Sequence, residues 1–273
     1  MSELVKLEYP HDGVALITVT DKERQNNLCW AVVDSLATAL KTARESGTRV
    51  SVIASGVDGH WLEHAWLTDL TNAFEGKPMT GKGAGFFECL QELNEKDVVT
   101  IAAVSGDTSG GGCELGWACD LRVAEEQAYF SQPEVLLGVG TGIGGTSRLL
   151  RLIGRTVTAE MVLDGCAVTA ERLYELGGVN KVVTKGKAID HSISWAKRLA
   201  SYHPDALVMM KRMLTHSEDL GLHEAVMKDQ EIFQSLSNSE FSRKNMRRMQ
   251  DIYNSGIPIR EATERERLKK DED

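Results

Sequence analysis

Gly110-Gly111-Gly112-Cys113-Glu114, and its echo twenty residues after the glutamate, Gln132-Pro133-Glu134, decide how the rest of the chain is read. The three glycines follow an apolar strand at residues 100–104 and open a helical run, Glu114-Leu115-Gly116-Trp117-Ala118-Cys119. The start of a helix leaves backbone N–H groups without partners and carries the positive end of the macrodipole. Glycine lets a ligand oxygen approach those groups closely. The stretch therefore reads as a place to hold a developing oxyanion, with Glu114 and Glu134 positioned for acid–base chemistry beside it.

Working outward, residues 4–9 and 14–20 read as strands around a turn at His11-Asp12-Gly13. Residues 30–45 carry apolar side chains at helical spacing (Val32, Val33, Leu36, Leu40, Ala43), and a short apolar strand follows at 50–54. Strands alternating with helices predict an α/β chain with buried strands. Residues 56–82 are broken by glycines and read as a loop near the site. A helix over 86–94 precedes the glycine motif. After Glu134 comes a glycine-dense loop, residues 138–145, then a helix, a turn, a second helix and a strand at 179–183. Beyond about residue 188 the pattern is purely helical, Pro204 suits a first helical turn, and the charged residues 264–273 read as a frayed end.

The chain has 273 residues, 42% hydrophobic and 26% charged, the balance of an ordinary globular protein. Its formal charge of −9 argues against a nucleic-acid partner. Five cysteines without a Cys-x-x-Cys pair argue against a metal or disulfide framework. The opening Met1-Ser2-Glu3-Leu4-Val5-Lys6 lacks the apolar core of a signal peptide, and no run reaches the about 20 apolar residues of a membrane span. The expectation is a cytoplasmic protein with no membrane partner and no metal.

The order of these motifs resembles the crotonase superfamily, the enoyl-CoA hydratases and isomerases. The matching residues are Ile101-Ala102-Ala103-Val104-Ser105-Gly106, Gly110 to Leu115, Cys119-Asp120, Ala128-Tyr129-Phe130-Ser131-Gln132-Pro133-Glu134, Leu137-Gly138 and Gly144-Gly145-Thr146-Ser147-Arg148-Leu149. The resemblance runs over about residues 4–215 and is densest from 99 to 184. It implies an α/β spiral core of stacked β-β-α turns over residues 1–195. A helical region over 196–273 would build a homotrimer or homohexamer. It also implies an acyl-CoA thioester substrate and no separate cofactor, since CoA belongs to the substrate.

By the same resemblance, the backbone N–H groups of Ala65 and Gly111 form the oxyanion hole. Glu114 and Glu134 hold a water between them, and the Gly142 N–H supports Glu134. Because family isomerases commonly keep one glutamate, the pair favours a hydratase. A C–C hydrolase of β-diketones, a decarboxylase and an isomerase stay as alternatives. Three positions depart from the family pattern. His64 stands for a glycine and Trp66 for an aspartate, while Thr141 stands for a proline. His64 reads either as a further polar group of the site or as a side chain packed beside His60. Its position would be strained if the backbone there needs φ > 0. Trp66 and Leu67 read as walls of the substrate pocket. Asp107, Arg148, Cys113 and the basic run Arg243-Lys244-Arg247-Arg248 read more readily as structural or solvated residues than as chemistry.

Overall fold

The computed structural model describes residues 3–94 and 97–272. Strands β1 (Val5–His11) and β2 (Val14–Val19) form an antiparallel hairpin that turns at Gly13, with φ +70°. Then follow α1 (Trp30–Glu45), β3 (Val50–Ser55), α2 (Leu67–Glu75), α3 (Gly85–Leu93), β4 (Val99–Val104), β5 (Thr108–Ser109) and α4 (Gly110–Ala118). The middle of the chain adds β6 (Leu121–Glu125), β7 (Tyr129–Ser131), a single 3-10 turn at Glu134–Leu137, and α5 (Gly145–Asp164), which is interrupted at Gly154. Next come β8 (Ala167–Thr169), α6 (Ala170–Glu175) and β9 (Lys181–Val183). The chain ends in α7 (Ala188–Ala200), α8 (Pro204–Ser217), α9 (Leu222–Ser237), α10 (Glu240–Asn254) and α11 (Ile259–Glu272).

Six strands form one sheet in the order β1-β2-β3-β4-β6-β9, parallel throughout except for the β1–β2 hairpin. Every residue of β3 and β4 is buried, as expected for parallel strands covered on both faces. Their two-residue period sorts the core into two layers. Val50, Val52, Val99, Ile101 and Ala103 point into the layer closed by Ala188, Ala196 and Ala200 of α7. Ile53, Ala102 and Val104 point the other way, into the larger core with Val32, Val33, Leu36 and Leu40 of α1. Helix α7 thus packs on the main sheet while running across position 195.

Two sequence expectations change. The broken stretch 56–82 contains a regular helix, α2, which ends at Gly76 in the left-handed conformation (φ +66°). Its apolar side chains Leu67 and Phe74 remain exposed, so the period that signals a buried face is weak there. The charged end of the chain is helical as far as Glu272; Asp273 lies outside the described residues, as do Met1 and Ser2. Ala262 of α11 is buried, and ion pairs such as Arg248–Glu266, at 2.8 Å, tie α11 to α10.

The second sheet is small: β5 runs parallel to β7, and β7 antiparallel to β8. The register pairs Thr108 with Phe130 and Ser109 with Ser131. Consequently Gly110 and Gln132, the next residues on each strand, leave the sheet side by side. The sequence echo between the two motifs is this register.

A buried asparagine anchors the loop opposite. Asn26 has φ +57° and is fully buried. Its Nδ2 lies 2.8 Å from Ser55 Oγ, 2.8 Å from the Trp61 carbonyl and 3.2 Å from the Val19 carbonyl, and its Oδ1 accepts from Asp21 N at 2.7 Å. The Asn26 carbonyl accepts from Glu63 N at 3.0 Å. Replacing Asn26 by Ala leaves several buried groups unpaired and is expected to cost about 2–4 kcal/mol of stability, read as a lowered denaturant midpoint.

Candidate active site

The glycine run is explained by what surrounds it. Gly110 sits at φ +45°, and a Cβ there would lie 2.9 Å from His64 Cβ. At Gly112 a Cβ would fall 2.1 Å from the Leu62 carbonyl oxygen, a distance no side chain survives. This close approach lets Gly112 N donate to the Glu63 carbonyl at 3.0 Å, which fastens the start of α4 to the 61–66 segment. The same segment is held from its other side. Leu28 N donates to the His64 carbonyl and Trp66 N to the Leu28 carbonyl, each at 2.9 Å.

This double fastening turns the Ala65 N–H away from both neighbours. Among the described residues, neither Ala65 N–H nor Gly111 N–H is given to an acceptor. The two face the same space, since a Cβ on Gly111 would lie 3.6 Å from Ala65 N. Phe86 of α3 closes one side, 3.1 Å from that same Cβ position, and packs edge-on against Trp30 with ring centroids 5.3 Å apart.

His64 does not need positive φ; among the described non-glycine residues only Gln25 and Asn26 have it. Its N–H donates to Ser109 Oγ at 3.1 Å and its Nδ1 lies 2.8 Å from the Ala65 carbonyl. The ring thus bonds to its own loop, as the packed reading expects, and not to His60. His60 Nδ1 instead meets Glu63 Oε1 at 2.8 Å, and Ser109 Oγ donates to Glu63 Oε2 at 2.6 Å. Trp66 is half-buried beneath the Arg24 guanidinium, 5.7 Å from its ring centroid, and Leu67 is exposed at the start of α2.

Glu114 is 3% exposed. Its Oε1 accepts from Gly145 N at 2.6 Å and Ile143 N at 2.9 Å, and its Oε2 from Gly142 N at 3.4 Å. Gly142 therefore turns its N–H to Glu114, a correction to the expected support of Glu134. Burial pushes the Glu114 carboxyl above its ordinary value, while the N–H groups before α5 oppose that shift. Thr141 braces this loop in place of a proline, its Oγ1 accepting from Thr146 N at 3.2 Å and meeting Thr146 Oγ1 at 2.9 Å.

Glu134 opens the 3-10 turn. Its Oε1 accepts from Gln132 Nε2 at 2.9 Å and lies 3.4 Å from where a Gly110 Cβ would stand. Its Oε2 is buried with no partner among the described residues. Burial raises this carboxyl, the Glu114 charge raises it further, and the Gln132 hydrogen bond works against both. Gln132 is the residue the sequence reading missed. Fully buried, it accepts from Trp117 Nε1 at 3.1 Å through Oε1 while its Nε2 reaches Glu134. A Cβ on Gly145 would touch both Gln132 Oε1, at 2.8 Å, and Glu114 Oε1, at 3.0 Å, so one amide bridges the surroundings of both glutamates.

Of the other residues weighed in the sequence, Asp107 accepts from Tyr129 N at 3.0 Å and braces a turn. The Cys113 thiol is buried, and burial raises it well above the usual range. Glutamate and glutamine at a strand end carry no sequence signal that separates a site residue from a turn; the pairing register alone brings Gln132 in.

The comparisons place the chain in a family. The family model described as enoyl-CoA hydratase/isomerase matches residues 10–251, and the chain belongs to that family. It is 30% identical over 225 residues to the mitochondrial enoyl-CoA hydratase of Pongo abelii, covering 82% of this chain and 77% of that one. Over 241 residues it is 30% identical to 2,3-dehydroadipyl-CoA hydratase of Escherichia coli (strain K12), covering 88% and 92%. The crystal structure of enoyl-CoA hydratase subunit I from Geobacillus kaustophilus HTA426 superposes with a TM-score of 0.82 at 28% identity, covering 91% of this chain and 95% of that one.

Replacing Gln132 by Leu removes a donor that favours the ionised form of Glu134. The Glu134 titration, followed by NMR of labelled glutamate carboxyls, is expected to move to higher pH.

Proposed function

We propose that the protein is a 2-enoyl-CoA hydratase. The observation that carries this reading is the pair of unengaged N–H groups, Ala65 and Gly111, beside one buried and one half-buried carboxylate. Hydration of an enoyl thioester builds negative charge on the thioester oxygen, and fixed donors aimed at that oxygen stabilise it in the transition state. Losing one such donor costs about 3–4 kcal/mol of barrier.

The glutamates divide the proton work through their surroundings. Two carboxylates that interact titrate as a pair, and in this reading one of them holds the shared proton. Glu114 accepts from the N–H groups of Gly142, Ile143 and Gly145, which favours its ionised form. Glu134 has the Gln132 amide and its own backbone N–H as donors but a buried, partnerless Oε2, and in this reading it holds the proton. In this reading Glu114 takes a proton from water as its oxygen bonds to C3, and Glu134 gives its proton to C2 as the enolate collapses. One water is added and the two glutamates exchange protonation states, to be reset through solvent. His64 borders Glu134 across Gly110. Trp66 and Leu67 border the acyl chain.

Exposed apolar side chains on the last helices, among them Leu222, Met227, Phe233 and Phe241, fit burial between subunits of a homotrimer or double trimer. Light scattering on the eluted protein is expected to give three or six chain masses, and a monomer would refute this.

Glu114→Gln and Glu134→Gln are each expected to lower kcat for crotonyl-CoA hydration by about a hundred- to ten-thousand-fold while leaving thioester binding intact. Wild-type turnover in both variants would refute the assignment. The acid limb of kcat/KM reports protonation of Glu114, and with that carboxyl raised by burial it falls above the ordinary glutamate range. The alkaline limb reports loss of the Glu134 proton and is expected to vanish in Glu134→Gln. Turnover of a cyclic β-diketone without any of crotonyl-CoA, lost in His64→Ala, would instead assign C–C bond hydrolysis.

A further inference from the structure

The far end of α4 borders a different space. A cavity of about 450 Å³ lies between the C-terminal turn of α4, the first turns of α5 and the last turns of α8. Its depth is set by Arg122, only 3% exposed. Arg122 Nε donates to the Gly178 carbonyl at 2.7 Å, and Nη1 to the carbonyls of Cys119 at 2.7 Å and Gly116 at 3.2 Å. The remaining nitrogen, Nη2, has no acceptor among the described residues, although the side chain lines the cavity. The carbonyls ending α4 would repel an anion; Arg122 Nη1 occupies two of them.

Arg148 and Arg151 enter from α5. Their contacts are neutral: Arg148 Nη2 donates to Asn94 Oδ1 at 3.3 Å and Arg151 Nη1 to the Ser147 carbonyl at 3.0 Å. Among the described residues, none of these three guanidinium groups has a carboxylate within 4 Å. The other cation, Lys211, is matched by Asp120 Oδ2 at 2.9 Å and also donates to the Leu93 carbonyl at 3.1 Å. One further carboxylate, Glu218, stands exposed on the rim. Three arginines thus face one unmatched glutamate, in a chain whose net charge is −9. The remaining wall is apolar, from Leu93, Trp117, Ala118, Leu152 and Leu214.

We propose that this cavity binds a small organic anion, with a doubly charged phosphate or carboxylate head on Arg122, Arg148 and Arg151 and an apolar body against Trp117, Leu152 and Leu214. The volume lies within the range of small-molecule sites. It is separate from the thioester site: Gly111 lies in the first turn of α4 and the cavity at its other end, about 10 Å along the helix. Trp117 touches both, lining the cavity with its ring while its Nε1 holds Gln132.

The test titrates the full-length protein with phenyl phosphate, benzylmalonate and uncharged benzyl alcohol at low ionic strength. Binding is followed by calorimetry and tryptophan fluorescence, with and without saturating hexanoyl-CoA, a saturated thioester that cannot be hydrated. The expected result is saturable binding of at least one dianion, none of the alcohol, and no displacement by hexanoyl-CoA. The tighter of the two dianions identifies the head group. Arg151→Ala, which removes one charge-assisted contact, and Leu214→Trp, which fills the space, are each expected to weaken binding at least about tenfold with unchanged circular dichroism. Absence of saturable binding below about 10 mM, equal affinity in both variants, or displacement by hexanoyl-CoA would overturn the proposal. The last result would place the anion in the thioester site and would leave the hydratase reading untouched.

Discussion

The parallel pairing of β5 with β7 is the constraint on which the site depends. It spans two residues on the first strand, yet it fixes which residues leave the sheet together. Gly110 departs into α4, carrying the Gly111 N–H and Glu114; Gln132 departs toward Glu134. A slip of one residue would turn each side chain to the opposite face and separate Glu134 from the glycines. Two motifs far apart in sequence become one site because a short ladder holds them in step.

The opposite side of the site rests on a different economy. Ala65 belongs to no regular strand; its neighbours are bonded to Leu28, Glu63 is bonded to Asn26, and Gly112 closes the arrangement on the Glu63 carbonyl. With the adjoining backbone engaged, the Ala65 N–H is left without an acceptor among the described residues, close to Gly111. This accounts for the tolerance of His64 and Trp66 at positions flanking the donor. The donor is backbone, the local φ suits any residue, and both side chains find partners outside the hole.

How much of this was legible beforehand follows from where the information sits. Strands β3 and β4 and helix α1 announce themselves through continuous burial or helical spacing, and their bounds match the sequence reading closely. The glycines and both glutamates were legible because close backbone approach admits little else than glycine, and the chemistry needs carboxylates. Helix α2 was hidden by glycines on either side and by apolar residues of which Leu70 meets the core while Leu67 and Phe74 stay exposed. Gln132 was hidden because its importance comes from contacts to Trp117 and Glu134 that exist only after β5 meets β7. The direction of the Gly142 N–H was equally invisible, since it depends on how a glycine-dense loop settles before α5.

Both glutamates carry a consequence for the folded state as a whole. A carboxyl whose folded pKa is raised binds its proton more tightly in the fold than in the unfolded chain. Its stabilising contribution is full below the unfolded value and is lost as pH rises through the folded one. Burial raises both Glu114 and Glu134, so ionising either one in the fold weakens the molecule that houses it. Drift toward thermal robustness alone would therefore favour losing these carboxylates.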